Sequence, residues 1–243
     1  MKVVILAGGF ATRLYEYTDV IPKPMVEINC KPILERVINI FAHYNHSEFY
    51  IALGYKSEII KKYFNSNNKH KINYEILGKK VEINLIDTGL DTMTGGRIKK
   101  MQKFINNENF MVTYGDGVSN VDLAKLEKFH ISHKKLISVT AVRPPARFGA
   151  LELEGEKVKS FKEKSQLDEG WINGGFFIMN SAIFNFIKDD NTILEREHLE
   201  QIALADELRA YKHKGFWQCM DTKRDRDILE KEALKGSEDP WQK

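Results

Sequence analysis

The chain has 243 residues, 42% hydrophobic and 29% charged, with a formal net charge of +3. That is enough apolar material for one large core, and too mild a basic excess to imply nucleic acid; pairs such as Lys61-Lys62, Lys79-Lys80, Lys99-Lys100 and Lys134-Lys135 read as solvated faces. Cys30 and Cys219 lie far apart and the seven histidines show no zinc spacing, which argues against a disulfide framework and a zinc site and fits a reducing compartment. No apolar run approaches the roughly 18 to 20 residues of a membrane span, so a cytoplasmic protein without a membrane partner is expected.

Taken in chain order, Val3–Ala7 is short, apolar and β-branched, the pattern of a strand buried on both faces of a parallel sheet. Ile33–Asn45 carries Ile33, Leu34, Val37, Ile38, Phe41 and Tyr44 at helical period, with Pro32 in the first turn. Glu48–Leu53 reads as a strand, Ser57–Phe64 as a helix opened by Ser57, and Asn65–His70 as a loop tip. A strand over Val81–Asp87, a helix over Arg97–Ile105, a strand over Phe110–Tyr114, a helix over Leu123–His133 and a strand over Leu136–Val142 follow. Beyond these the alternation changes. Gly149–Leu153 and Lys157–Glu163 flank a hairpin turn at Glu154-Gly155-Glu156, Trp171–Met179 is a long strand, Leu199–Ala205 a helix, Phe216–Cys219 a strand, and Arg224–Lys235 a final charged helix. Repeated strand–helix units without a linker predict one α/β domain over residues 1–243, its mostly parallel sheet covered on both sides.

The loop after the first strand runs Gly8-Gly9-Phe10-Ala11-Thr12-Arg13-Leu14 and is followed by Pro22-Lys23-Pro24-Met25. Such a loop lies where open α/β sheets bind ligands. Paired glycines let backbone N–H groups approach a polyanion, Arg13 and Lys23 add cationic donors, and the prolines limit where Lys23 points. Gly-Gly alone would equally suit a tight turn. The Gly-Lys-Ser/Thr of a P-loop and the Gly-x-Gly-x-x-Gly of a dinucleotide fold are both missing, so the loop is read as a triphosphate site of another kind.

Asp116, between Gly115 and Gly117, follows the strand ending at Tyr114, and Asp221 follows the strand Phe216–Cys219. Two such carboxylates suit magnesium on a triphosphate, because a hard cation takes carboxylate oxygens. Separately, Asp116 would serve in an Asp-Gly turn and Asp221 as a helix cap. The stretch Asp87–Arg97 is rich in glycine and threonine and ends at a helix start; Thr92 and Arg97 suit a base, ribose or phosphate, or else a capped helix entry. Asn173-Gly174-Gly175 interrupts an apolar strand, as a close-approaching acceptor or a β-bulge would require, and Lys164 follows Glu163 upstream.

In this order, Leu6-Ala7-Gly8-Gly9, Thr12-Arg13-Leu14, Pro22-Lys23-Pro24-Met25, Gly115-Asp116-Gly117, Glu163-Lys164, Asn173-Gly174-Gly175-Phe176 and Asp221-Thr222 resemble the sugar-phosphate nucleotidyltransferases over almost the whole chain. Met93-Thr94-Gly95-Gly96-Arg97, Arg147-Phe148-Gly149-Ala150-Leu151 and Gly215-Phe216-Trp217-Gln218 are most similar to the members that use CTP and glucose 1-phosphate. The resemblance implies a Rossmann-like nucleotidyltransferase fold, a mostly parallel mixed sheet flanked by helices with a small C-terminal hairpin and helical elaboration. It implies transfer of CMP from CTP, with magnesium, to a phosphorylated acceptor for surface polysaccharide synthesis. Leu6, Ala7, Gly8, Gly9, Thr12, Arg13, Lys23, Thr92, Arg97 and Gly115 would hold the nucleotide. Asp116 and Asp221 would hold the metal, with Arg13 and Lys23 sharing the catalytic work, and Lys164, Asn173 and Gly174 would face the acceptor. Enzymes of this group are often homo-oligomers, which is the whole basis for expecting one here.

Three departures bear on these expectations: Ala11 stands where the family has glycine, Ser165 where it has proline, and Asn29-Cys30 where it has Gly-Gly. They leave the acceptor open between a sugar 1-phosphate and a non-sugar phosphate such as a phosphoamino acid. A CTP-binding regulator without turnover is the reading from a different class, and intact Arg13, Lys23, Asp116 and Asp221 argue against it.

Overall fold

The structure is a computed structural model, and it describes residues 1–10, 14, 18–66, 69–144, 150–162, 170–235 and 239–241. The strands are β1 (Val3–Ala7), β2 (Glu27–Ile28), β3 (Lys31–Pro32), β4 (Glu48–Leu53), β5 (Lys71–Ile76), β6 (Lys79–Asp87), β7 (Phe110–Tyr114), β8 (Gly117–Ser119), β9 (Ile137–Val142), β10 (Ala150–Glu154), β11 (Lys157–Lys162), β12 (Ile172–Met179), β13 (Leu208–Lys212) and β14 (Trp217–Cys219). The helices are α1 (Ile33–His43), α2 (Ser57–Tyr63), α3 (Thr94–Lys100), α4 (Leu123–His133), α5 (Leu199–Leu204) and α6 (Lys223–Ala233).

Eight strands form one sheet in the order β13-β9-β12-β7-β1-β4-β6-β5. The pairs β1–β4, β1–β7, β4–β6 and β9–β13 are parallel, while β12 runs antiparallel to both β7 and β9, and β5 to β6. Two strands, β5 and β12, therefore oppose the other six, which is the mostly parallel mixed sheet expected. From β1 the chain steps outward through β4 and β6, then returns to lay β7 on the other side of β1. The order reverses between β1 and β7, and the crevice at their carboxyl ends is the place such a reversal opens for a ligand.

Every residue of β1 is buried. Val3, Ile5 and Ala7 join the core under α1, α2, α4 and α6, whereas Val4 and Leu6 join the core with Ile98 and Met101 at α3 and Ile202 of α5. Each of the Val, Ile and Leu side chains contributes about 1.5–3 kcal/mol, and a strand paired on both edges and covered on both faces has little freedom to shift the loop it carries. No helix among the described residues is long and apolar enough to cross a membrane.

The two edge strands, β5 and β13, were not expected from the sequence. In β5 the alternation of a strand is present all the same, with Ile72, Tyr74 and Ile76 packed against the core between exposed Lys71, Asn73 and Glu75, whereas β13 shows little of it. The helix expected from Arg97 begins three residues earlier, at Thr94, and gives way to a 3₁₀ turn over Gln102–Phe104. Backbone bonds from Met93 N to Asp190 O and from Gly95 N to Thr192 O, at 2.8 and 2.9 Å, set that early start. Pro32 lies just before α1, in extended conformation, rather than within its first turn. At Asn29-Cys30 both residues have positive φ, 47° and 60°, so the β2–β3 connection keeps the left-handed geometry that glycines would adopt more freely.

Candidate active site

The carboxyl end of β1 carries Leu6, Ala7, Gly8 and Gly9 into a cleft of about 390 Å³, where they meet Lys23, Thr92, Arg97, Gly115, Asp116 and Asp221. Thr12 and Arg13 lie outside the described residues, as do Ala11, Lys164 and Ser165. Arg97 is buried, and its guanidinium is spent on the protein itself. One nitrogen donates to Leu53 O, Gly89 O and the Thr88 hydroxyl, and the other to Gly8 O and Leu90 O. It thereby ties the loop after β1 to the loops after β4 and β6. Gly8 makes room for this clamp, since a Cβ there would lie 2.3 Å from an Arg97 guanidinium nitrogen. Burial pulls the Arg97 pKa below the usual arginine value, with Asp87 and Asp190 pulling the other way.

Thr92 and Gly115 line the same cleft with their polar groups engaged within the chain. The Thr92 hydroxyl donates to Thr88 O at 2.6 Å, and Gly115 N donates to Leu6 O at 2.9 Å. Lys100, read as part of a solvated pair, bonds Thr88 O, the Thr92 hydroxyl and Asp190 Oδ2 behind this wall.

Lys23 is the centre of the arrangement. It sits in a 3₁₀ turn between Pro22 and Pro24, only 9% exposed, with its Nζ 2.6 Å from Asp116 Oδ2 and 2.6 Å from Asp221 Oδ1. Burial acts to lower its pKa, but the charges and hydrogen bonds of the two aspartates outweigh it and hold the group above the ordinary lysine value. Asp116 follows β7 as expected. The alternative role of Asp221 as a helix cap falls to its neighbour: Thr222 caps α6 in a reciprocal capping box with Asp225. Asp225 also accepts from Asp221 N at 3.2 Å, which fixes the backbone beneath the Asp221 carboxylate. The Cys219 thiol lies 3.9 Å from Asp221 Oδ2, and burial, then Asp221 and Asp116, push it up to about 12.

A second cleft, of about 370 Å³, shares Tyr114, Asp116 and Asp221 with the first and is lined beyond them by Asn173, Gly174, Gly175, Glu195 and Trp217. Because β12 runs against β7 and β9, its first residues stand beside the last residues of those strands. The β12–β9 register shifts between Asn173 and Phe177, so the bulge anticipated at Asn173-Gly174-Gly175 is present and lies in a cleft. Gly175 has φ +77°, and a Cβ there would come within 2.6 Å of the Tyr114 ring. Trp217 Nε1 holds Gly174 O at 2.8 Å, giving Gly-Phe-Trp-Gln a structural task.

Glu195 was not singled out from the sequence. It lies in a helical turn broken at Arg196, and it accepts from the Tyr114 hydroxyl at 2.5 Å and the Thr94 hydroxyl at 2.6 Å, spanning both clefts. Asn173 Nδ2 donates to the same Tyr114 oxygen at 3.3 Å. Burial, then the Glu195 charge, drive the Tyr114 phenol well above its usual range, so it stays a neutral donor.

Two clefts thus meet at a buried ammonium and two carboxylates whose side chains are 27% and 24% exposed. Hard oxygen donors of this kind fit a divalent cation such as magnesium. Among the described residues no group of three or more His, Cys, Asp or Glu is placed to hold a metal ion by itself. Two carboxylates with the remaining positions left to phosphate oxygens and water is a familiar way of binding magnesium.

Residues 2–225 match the model of the nucleotidyl transferase family. The chain is 43% identical over 254 aligned residues to a glucose-1-phosphate cytidylyltransferase of Salmonella typhi, covering 99% of this chain and 98% of that one. It is 40% identical to a probable glucose-1-phosphate cytidylyltransferase of Bacillus subtilis, covering 91% and 92%. Among solved structures, HddC from Yersinia pseudotuberculosis complexed with GMP-PN superimposes with a TM-score of 0.72 at 25% identity, covering 95% of this chain and 98% of that one. With its sheet order, its loop at the switch point and a family match along nearly its whole length, the chain belongs to the nucleotidyl transferase family.

Proposed function

We propose that the protein transfers CMP from CTP to a sugar 1-phosphate, with glucose 1-phosphate the first acceptor to test, releasing pyrophosphate and a CDP-sugar. The observation that carries this reading is the placement of Lys23, Asp116 and Asp221 where the two clefts join. A nucleotide along Leu6–Gly9 and an acceptor at Asn173–Gly174 would bring their phosphates together there. The cytidylyltransferase names of relatives that align along almost their whole length support the choice of base and sugar.

An oxygen of the acceptor phosphate attacks the α-phosphorus of CTP in line. The new P–O bond forms as the bond to the α,β-bridging oxygen breaks, and pyrophosphate carries that oxygen and its electron pair away. A phosphate monoester is already an anionic nucleophile, so no general base and no covalent intermediate are required. Positioning and charge neutralisation supply the acceleration. Backbone groups of Leu6–Gly9 and the Thr12 hydroxyl seat the triphosphate, and Lys23 and Arg13 neutralise it. Thr92, Arg97 and Gly115 shape its cleft, Arg97 by holding Gly8 in place. Asn173, Gly174 and Lys164 seat the acceptor. Asp116 and Asp221 would hold magnesium, whose chemistry here is to neutralise charge on the α-phosphate and the departing pyrophosphate.

The test is pyrophosphate release by the purified protein with CTP, Mg²⁺ and glucose 1-phosphate, against reactions that lack the acceptor or replace CTP by GTP, UTP or dTTP. Acceptor-dependent release with CTP is the expected result. Release that prefers another nucleotide overturns the base, and CTP binding without release under any phosphorylated acceptor overturns the enzyme.

A further inference from the structure

Lys23 occupies the position a cation would take. Its ammonium is drawn to Asp116 from one side and to Asp221 from the other at equal distances of 2.6 Å. Both acids come from far along the chain, 93 and 198 residues away, so the fold brings two negative charges to one buried ammonium. Together the three groups carry one net negative charge, where the two carboxylates alone would carry two. Flanking prolines hold the turn from which Lys23 projects.

For a divalent cation arriving alone this is a double obstacle. Lys23 already takes one oxygen of each carboxylate, and the displaced ammonium would remain in the same poorly solvated corner, facing a dication. The two carboxylates are also too few to surround the ion, and the described residues gather no third ligand of the His, Cys, Asp or Glu kind around them. A triphosphate removes both obstacles at once. It brings oxygens to complete the coordination of the cation, and it brings anionic oxygens to which the Lys23 ammonium can move. Both clefts open on this junction, so the phosphates can reach it.

We infer that Lys23 is an internal counter-ion that keeps the Asp116–Asp221 pair from binding a divalent cation until a nucleoside triphosphate arrives, so that metal and nucleotide bind together. The inference rests on the proposed reading of Asp116 and Asp221 as the metal pair, and it adds a role for Lys23 in the ligand-free protein. Linkage makes the effect reciprocal: the factor by which the nucleotide tightens the metal is the factor by which the metal tightens the nucleotide.

The experiment is a titration of the protein with Mn²⁺ alone, free ion followed by electron paramagnetic resonance, in the unmodified chain and in Lys23→Met and Lys23→Arg. Lys23→Met is expected to bind one Mn²⁺ at least about tenfold more tightly than the unmodified chain, with Lys23→Arg close to the unmodified chain. Equal Mn²⁺ affinity in Lys23→Met and the unmodified chain overturns the inference. Near-ultraviolet circular dichroism checks the fold, and Lys23→Gln replaces the methionine variant should that one unfold. The unmodified chain supplies a second measurement: CTP affinity with and without Mn²⁺ should differ by about tenfold or more, and a ratio near one overturns the coupling. Neither readout needs an acceptor or turnover, so loss of the counter-ion role and loss of the proposed transfer are told apart.

Discussion

Lys23 with its two aspartates and Ser138 with its two histidines are both three-residue polar clusters around a buried central side chain, and they are finished differently. At the second, between α4 and β9, the Ser138 hydroxyl lies 2.9 Å from His130 Nδ1 and 2.7 Å from His133 Nε2. Lys135 N donates to His133 Nδ1 at 2.9 Å, so that nitrogen is an acceptor and the proton of His133 sits on Nε2. His133 then donates to Ser138, and Ser138 donates to His130. Each of these contacts has one donor and one acceptor, and the cluster is neutral. The Lys23 cluster instead holds three full charges that do not sum to zero, beside two clefts. Burial by itself separates neither case from the other. What differs is full charge facing a cavity, which a ligand can use, against matched neutral groups, which stabilise the fold.

That contrast can be broken at several points, beginning with the largest effect. Asp116→Ala should lower turnover by about 10³-fold or more with the protein still folded, measured by pyrophosphate release beside thermal unfolding. A variant within tenfold of the parent rate would remove Asp116 from the charged cluster's function. Arg97→Met should destabilise the fold by about 3–5 kcal/mol, because carbonyls of four different residues lose a buried donor. Normal stability with weakened CTP binding would instead make Arg97 a direct ligand.

The neutral cluster has its own test in acid. Burial, then the neighbouring His133, lowers His130 to about 4 from the ordinary histidine value of 6.5. Below pH 6.5 the unfolded chain binds a proton that the folded one refuses, so stability is complete above that pH and falls until about pH 4. His130 accounts for a loss of about 3 kcal/mol over that window, and His130→Gln should flatten denaturant-derived stability across it. A slope unchanged by the substitution would mean that His130 is not held neutral. Smallest is Glu195→Gln, expected to raise the acceptor KM about tenfold by altering its bond with Tyr114, with the CTP KM little changed. Equal change in both would place Glu195 in the wall of both substrates.

The sequence was most legible where chemistry and periodicity are local. β1, β4, β7 and α4 have the expected bounds because fully buried strands and an amphipathic helix write their period into consecutive residues. Gly-Gly after β1 and Asp116 between glycines after β7 were readable for the same reason. The edge strand β13 owes its existence to β9, far back along the chain, while β5 pairs with the next strand, β6, and carries a local alternation that the sequence reading passed over. Arg97 announced a cation, yet nothing adjacent to it says that its partners are carbonyls from three loops. Glu195 sits at a broken helical turn with no pattern around it. For Asp221 the deciding signal was present in Thr222-Lys223-Arg224-Asp225, a capping box that leaves Asp221 outside the cap.

The reversed strand β12 has a consequence for how the two substrates can vary. The first cleft is built where parallel strands end, and the second also where one opposing strand begins. Chain inserted, deleted or exchanged ahead of Ile172 therefore enters at the second cleft, while β1 and β7 keep their register. On the proposed reading, a protein wired in this way can vary one rim of its acceptor cleft there and leave the strands beneath the nucleotide untouched.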